Sequence, residues 1–191
     1  MKRLMYALLP LLATPLMAQQ PSLDFEGNLG VVQAFGDLKD NMADKDNIAG
    51  YTFGVAARFQ SRPGLGHRVF INALAIRGKE GTGMDTYSPK HLNAGYDICL
   101  DTTENLTVFG GLGIVKWSQD TASITLPDFS DENDLNNRGK GTKVAGRIGL
   151  EYKLGKGFAG QVAYTQTEFN KKFNPSWFTV GVSYRFGGIK F

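Results

Sequence analysis

Few groups in this chain are suited to bond-making chemistry. Its two histidines, His67 and His91, are the side chains that most readily exchange a proton near neutral pH. A serine becomes a nucleophile when such a base stands within hydrogen-bond reach. His91 lies near Ser88, and His67 falls beside the turn-like run Arg62-Pro63-Gly64-Leu65-Gly66. Neither location suits a catalytic pair, so no enzyme activity is expected and His91 reads as an interface or loop histidine. Cys99 is the single cysteine, which rules out an internal disulfide and leaves it a packing role. Acidic clusters occur at Asp37, Asp40, Asp44 and Asp46, and again at Asp128, Asp131, Glu132 and Asp134. Neither has the fixed glycine and terminal glutamate of a calcium loop. They read as solvated loop surface, with no metal or cofactor expected. What remains is a set of charges at regular positions: Glu26, Arg58, Asp97, Asp101, Lys143, Arg147, Glu151 and Arg185. Such groups form ion pairs if the elements carrying them turn them to one place.

Those elements show period two, the repeat of a strand with one apolar face. From Phe25, the odd positions Leu29, Val31 and Phe35 are apolar around Glu26, Asn28 and Gly30. In the second segment Tyr51, Phe53, Val55, Ala57 and Phe59 alternate with Thr52, Gly54, Ala56, Arg58 and Gln60. Residues 68–77 are strand-like but apolar on both faces, which leaves their phase open. The fourth segment sets Leu92, Ala94, Tyr96, Ile98 and Leu100 against His91, Asn93, Gly95, Asp97, Cys99 and Asp101; the fifth, Leu106 to Trp117, is glycine-rich with Val108, Leu112 and Ile114 on its outer face. The sixth alternates Thr142, Val144, Gly146, Ile148, Leu150 and Tyr152 with Lys143, Ala145, Arg147, Gly149 and Glu151. The seventh sets Phe158, Gly160, Val162 and Tyr164 against Ala159, Gln161, Ala163 and Thr165. The eighth sets Phe178, Val180, Val182, Tyr184 and Phe186 against Trp177, Thr179, Gly181, Ser183 and Arg185. The connections alternate too. Those near 37–48, 78–90, 118–141 and 170–175 are mostly long and polar, while those near 61–66, 102–105 and 153–157 are short.

Met1-Lys2-Arg3, the apolar run Leu4 to Leu12 and the sequence Leu16-Met17-Ala18 have the three parts of a secretory signal. The expected domains are a signal peptide at 1–18 and one barrel domain at 19–191. The 191 residues carry 21 Lys and Arg against 18 Asp and Glu; without Lys2 and Arg3 the balance is 19 to 18, which argues against a nucleic-acid partner. In lipid, strands can span only as a closed barrel of segments about 9 to 11 residues long. Eight such segments, alternating short and long connections, and aromatics near strand ends (Tyr51, Phe59, Tyr152, Phe158, Phe178, Phe186) predict an all-β, eight-stranded antiparallel up-and-down transmembrane β-barrel. The alternative is a soluble antiparallel barrel with these apolar faces turned inward around a ligand.

The pattern resembles the small eight-stranded outer-membrane barrels, the family of the OmpA transmembrane domain and its OmpX-like and OmpW-like relatives, over residues 24–186. Its most specific element is Thr179, Gly181, Tyr184 and Phe186, similar to the signal by which the barrel-assembly machinery recognises its clients. Gly187-Gly-Ile-Lys-Phe191 follows with Phe191 in the opposite strand phase from Phe186, so the terminal aromatic is either Phe186 or Phe191. The resemblance implies an outer-membrane location with both termini periplasmic, and a monomer in contact with membrane lipid and lipopolysaccharide. Lipid A deacylase and palmitoyltransferase barrels are similar in size, but His91-Leu-Asn93 lacks the deacylase's His-x-Ser pattern.

An eight-stranded barrel is just wide enough for side chains to fill. The eight charges above are therefore expected to plug the lumen as an ion-pair network, with Glu26, Arg58 and Arg185 on neighbouring strands and Asp97 beside Arg147. Trp117 and Trp177 read as interfacial anchors near the outer rim. The expected function is structural or surface-interactive, carried by the first and third long loops, whose acids could hold divalent ions bridging lipopolysaccharide phosphates. A narrow channel for small solutes is the alternative, and a lipid A enzyme stands behind both.

Overall fold

The computed structural model describes residues 21–35, 49–76, 90–118, 140–167 and 176–190. The proposed signal peptide, the acidic clusters, Ser88 and Phe191 lie outside them. Eight strands run β1 (Ser22–Phe35), β2 (Ala49–Arg62), β3 (Leu65–Ile76), β4 (Lys90–Asp101), β5 (Leu106–Ser118), β6 (Lys140–Gly155), β7 (Phe158–Thr167) and β8 (Ser176–Lys190). Each pairs antiparallel with its sequence neighbour, and β1 pairs β8 to close the barrel. Closure leaves no strand with an unpaired edge. The end carrying the connections at 62–65, 101–106 and 155–158 is called the turn end below, and the opposite one the loop end.

The period-two segments face as their polarity requires. Leu29, Val31, Phe53, Val55, Leu112, Ile114, Val144, Ile148, Val180 and Val182 are exposed on the outer wall, while Glu26, Arg58, Asp97 and Glu151 are buried inside. This is the reverse of a soluble ligand-binding barrel. Aromatic side chains cluster at both ends of that wall: Phe35, Tyr164 and Phe178 at the loop end, Phe158, Tyr184 and Phe186 at the turn end.

The third segment, apolar on both faces, acquires a phase from its neighbours. Arg58 of β2 lies directly opposite Arg68 of β3, and Arg68 opposite Asp97 of β4, so Arg68, Phe70, Asn72 and Leu74 face the lumen and Val69 and Ile71 face out. The eighth strand also departs from strict alternation. Its register with β1 shifts between Asp24 and Glu26, where Gly187 adopts φ 98°, a left-handed value that glycine accepts without strain. The extra residue resets the phase, so Ile189, paired to Leu23, is exposed on the same wall as Phe186. The opposite phase expected beyond Phe186 therefore does not hold up to Ile189, because one bulge restores the alternation.

Candidate functional site

The chemistry-bearing side chains gather inside the barrel toward the turn end. Glu151 of β6 is their hub: Arg58 Nη1 donates to its Oε1 at 3.0 Å and Arg68 Nη1 to its Oε2 at 3.1 Å, while Arg185 Nη2 lies 3.5 Å from Oε1. Arg58 also donates to Asp101 Oδ1 at 2.9 Å, and Thr107 and Gln60 donate to the same carboxylate. Arg68 donates through Nε and Nη2 to Asp97 Oδ2 at 3.1 and 2.8 Å. Arg185 of β8 donates through Nε and Nη2 to Glu26 Oε1 at 3.3 and 3.0 Å, across the seam where the chain's first and last strands meet. Arg147 comes within 3.5 Å of Asp97 and lies over the faces of Phe70 and Phe109, at 4.4 and 4.9 Å; Arg68 lies 4.2 Å over Phe109. These stacks use the attraction of a cation to an aromatic face.

Of the eight charges singled out from sequence, seven meet in this cluster. Lys143 holds the inward register position opposite Val115, nearer the loop end. Asp97 and Arg147 approach each other, but the short bonds to Asp97 come from Arg68, which sequence reasoning left out. Counting from the hairpin would have misphased the third segment: the turn pairs Arg62 with Leu65, which sets Arg58 opposite Val69, and only the register shift between Gln60 and Arg62 brings Arg58 opposite Arg68. The cluster is dry at its centre, with Arg58 and Glu151 each 1% exposed, and wetter at its turn-end margin, where Asp101 is 17% and Arg185 30% exposed. Buried charges are costly unless paired and hydrogen-bonded. Arg58, Arg68, Asp97 and Glu151 meet that requirement, whereas Arg147 is held by the Asp97 carboxylate at 3.5 Å and by two ring faces, with its Nη1 unbonded.

On the loop-end side the lining changes character. Asn28, Thr52, Asn72, Asn93, Gln161, Thr165 and Thr179 surround a cavity of about 20 Å³ with Arg147 on one side and Trp177 on the other. His91 and Trp177 meet edge to face, ring centroids 5.8 Å apart. Both were expected at an interface or rim; both are buried in the lumen, 3% and 2% exposed. Strand phase decides this, since each occupies an inward position and its ring follows. Trp117's side chain lies outside the described residues. Cys99 is buried against Phe109 and Ala163. Thr179 and Gly181 face inward, Tyr184 and Phe186 outward.

His67 stands on the outer wall rather than in the turn. Its Nδ1 bonds the Tyr96 hydroxyl, its Nε2 is 3.1 Å from Ser61 Oγ, and Ser61 Oγ donates to the Leu65 carbonyl at 3.3 Å. With the Ser61 proton committed to that carbonyl, His67 Nε2–H donates to Ser61 and Nδ1 accepts from Tyr96. This is the reverse of the polarity by which a histidine activates a serine. The string satisfies polar groups on an apolar wall. Among the described residues no group of three or more His, Cys, Asp or Glu is placed to hold a metal ion.

A barrel with an apolar outer wall, aromatic ends and a charged, filled lumen is the architecture of bacterial outer-membrane proteins. The sequence matches the outer membrane protein beta-barrel domain family over residues 5–186. The chain belongs to that family. No curated protein matches it. Among solved structures, Ail, the attachment invasion locus protein of Yersinia pestis, is similar with a TM-score of 0.54 and 14% identity in its complex with the heparin analogue sucrose octasulfate, covering 88% of this chain and 100% of that one. Ail in a phospholipid bilayer nanodisc gives 0.51 and 16%, covering 85% and 99%. Neisserial surface protein A gives 0.49 and 11%, covering 87% and 97%. At these identities the likeness concerns the fold.

Proposed function

We propose that this outer-membrane barrel is a plugged, non-enzymatic envelope protein whose role is structural or surface-interactive. One observation carries the reading: Glu151 on one wall is bonded to Arg58 and Arg68 on the facing wall, so the ion pairs cross the lumen instead of lining it. A conducting pore of this width would need those groups apart. Residues 1–18 act as the export signal, the short turns and both termini lie in the periplasm, and the long connections face outward, where the acidic clusters at Asp37–Asp46 and Asp128–Asp134 meet lipopolysaccharide. The protein works as a monomer, and the barrel-assembly machinery reads Thr179, Gly181, Tyr184 and the terminal aromatic. The reversed polarity at Ser61 and His67 supports the absence of hydrolytic activity.

Planar-bilayer recording of purified protein tests the plug. The expected trace is silent, and reproducible single-channel steps would replace this reading with that of a narrow channel. Expression in a host with defined lipid A should leave the lipid A mass unchanged; an added or lost acyl chain would make the protein an enzyme.

A further inference from the structure

The turn end is basic. Beyond the luminal network it carries Arg62, Lys153, Lys156 and Lys190 against Asp24 and Glu104. Lys153 is turned back, donating through Nζ to the Glu104 carbonyl at 3.0 Å. Arg62, Lys156 and Lys190 are exposed, and among the described residues no carboxylate lies within ion-pair distance of any of them. The three are not scattered round the rim. Lys156 belongs to the turn joining β6 to β7, Lys190 ends β8 and Arg62 ends β2, so they fringe one arc of the barrel that includes the β8–β1 seam. Ser22 of β1 pairs with Lys190 on one side and with Gln60 on the other, which sets those two neighbours about 10 Å apart. The aromatic cluster of the turn end hangs on the same arc: Phe158, Tyr184 and Phe186, with successive ring centroids 4.7 and 5.2 Å apart.

Height decides what these charges meet. Lys156 stands two residues from exposed Leu154 and two from exposed Phe158, Lys190 follows exposed Ile189, and Arg62 comes three after exposed Phe59. At about 3.3 Å per residue, each charge lies within about 10 Å of side chains that face acyl chains, and less once the strands are tilted. The polar layer on each side of a bilayer is about 5 to 8 Å deep. The three cations therefore stand at the level of the lipid phosphates.

Lys156 is held there against its backbone preference. The turn Gly155-Lys156-Gly157 has φ values of 100°, 51° and 84°, and Lys156 is the one described residue other than glycine in the left-handed region. Asparagine or glycine suits that position better. A Cβ on Gly157 would lie 2.9 Å from the Arg185 carbonyl oxygen and 3.2 Å from Tyr184 Cε2, so glycine is what lets the turn fold down onto β8 and against the Tyr184 ring. The Arg185 amide fixes it by donating to the Gly157 carbonyl at 2.8 Å.

We propose that this arc is a binding site for anionic phospholipid, with Arg62, Lys156 and Lys190 taking the phosphodiester and the Phe158, Tyr184 and Phe186 rings taking the glycerol and upper acyl chains. Continuity with the acyl-facing wall favours a lipid over a polymer of the periplasm, and charge favours an anionic one, because a zwitterionic headgroup brings its own cation to the same place. The leaflet it draws on rests on the proposed periplasmic placement of the turns; the headgroup chemistry does not.

Electron-spin resonance of spin-labelled lipids in phosphatidylcholine vesicles holding the folded protein tests the site. Phosphatidylglycerol should be favoured over phosphatidylcholine at the protein surface by roughly fivefold at low salt, and the preference should fade in about 1 M salt. The triple variant Arg62→Gln, Lys156→Asn, Lys190→Gln should bring the ratio close to one; asparagine at 156 accepts the left-handed backbone, so the turn keeps its shape. Lys116→Gln, exposed toward the loop end, should leave the ratio unchanged. Equal ratios for wild type and triple variant would overturn the site, as would a loss on Lys116→Gln alone. Retention of the wild type but not the triple variant on purified peptidoglycan, with no lipid preference, would overturn it in favour of the wall polymer. Orientation is read separately. An impermeant maleimide should fail to label Lys156→Cys in whole cells, where buried Cys99 gives no background; labelling would overturn the periplasmic placement of the turns while leaving a measured lipid preference intact.

Discussion

Glu151 accepts from Arg58 and Arg68 and lies against Arg185, and its 1% exposure leaves it no water to fall back on. Glu151→Gln keeps the shape and removes the charge, stranding guanidiniums in the lumen. It should lower unfolding stability in lipid vesicles by about 3 to 5 kcal/mol. Asp101→Asn, at the wetter margin, should cost about 1 kcal/mol or less. Urea titration read by heat-modifiable migration measures both, and equal effects would mean that burial does not govern this cluster. A double-mutant cycle should likewise give a larger coupling for Arg68 with Asp97, at 2.8 Å, than for Arg147 with Asp97, at 3.5 Å. Most of these residues were legible because a charge recurring on the polar side of an alternating strand has one place to go. Arg68 was not, since its strand is apolar on both faces and local pattern cannot phase it. His91 and Trp177 were misplaced for a related reason: residue type suggested a rim, but the side of the strand outweighs residue type once the sheet closes.

At the level of the strand, space is allotted by glycine. A Cβ on Gly149 of β6 would lie 2.3 Å from Phe109 Cζ of β5 and 2.4 Å from the Val162 carbonyl oxygen of β7, so the missing side chain makes room both for the Phe109 ring beneath Arg68 and Arg147 and for the neighbouring backbone. Gly149→Ala should therefore destabilise the barrel by about 1 to 3 kcal/mol through overpacking, and Phe109→Leu in the same chain should restore part of the loss. If the double variant is no more stable than Gly149→Ala alone, the ring is not what the glycine accommodates. The sequence showed Gly149 on the inward side of the sixth segment, but not which ring required the space. The bulge at Gly187 was illegible for a simpler reason. A single residue in left-handed backbone leaves no periodic trace, and only the pairing of Asp24 with Gly188 reveals that the count has slipped by one.

Across the whole molecule, strand number, order and, outside the third strand, facing were readable from period and connection length, because a membrane-spanning chain must satisfy its backbone within itself and has one small closed solution of this size. The long connections were readable only as polar spans. The architecture predicts that folded protein migrates differently from heated protein on gels and partitions with the outer-membrane fraction; a detergent-independent soluble form would contradict it. The Glu26–Arg185 contact adds a kinetic corollary. It joins the first strand to the last, and the hub on β6 also draws on β2, β3 and β8. A polypeptide ending before residue 176 would lack Arg185, deprive Glu26 of its 3.0 Å partner and leave β1 and β7 as open edges. Sealing the wall and neutralising Glu26 at the seam thus both wait on the last strand.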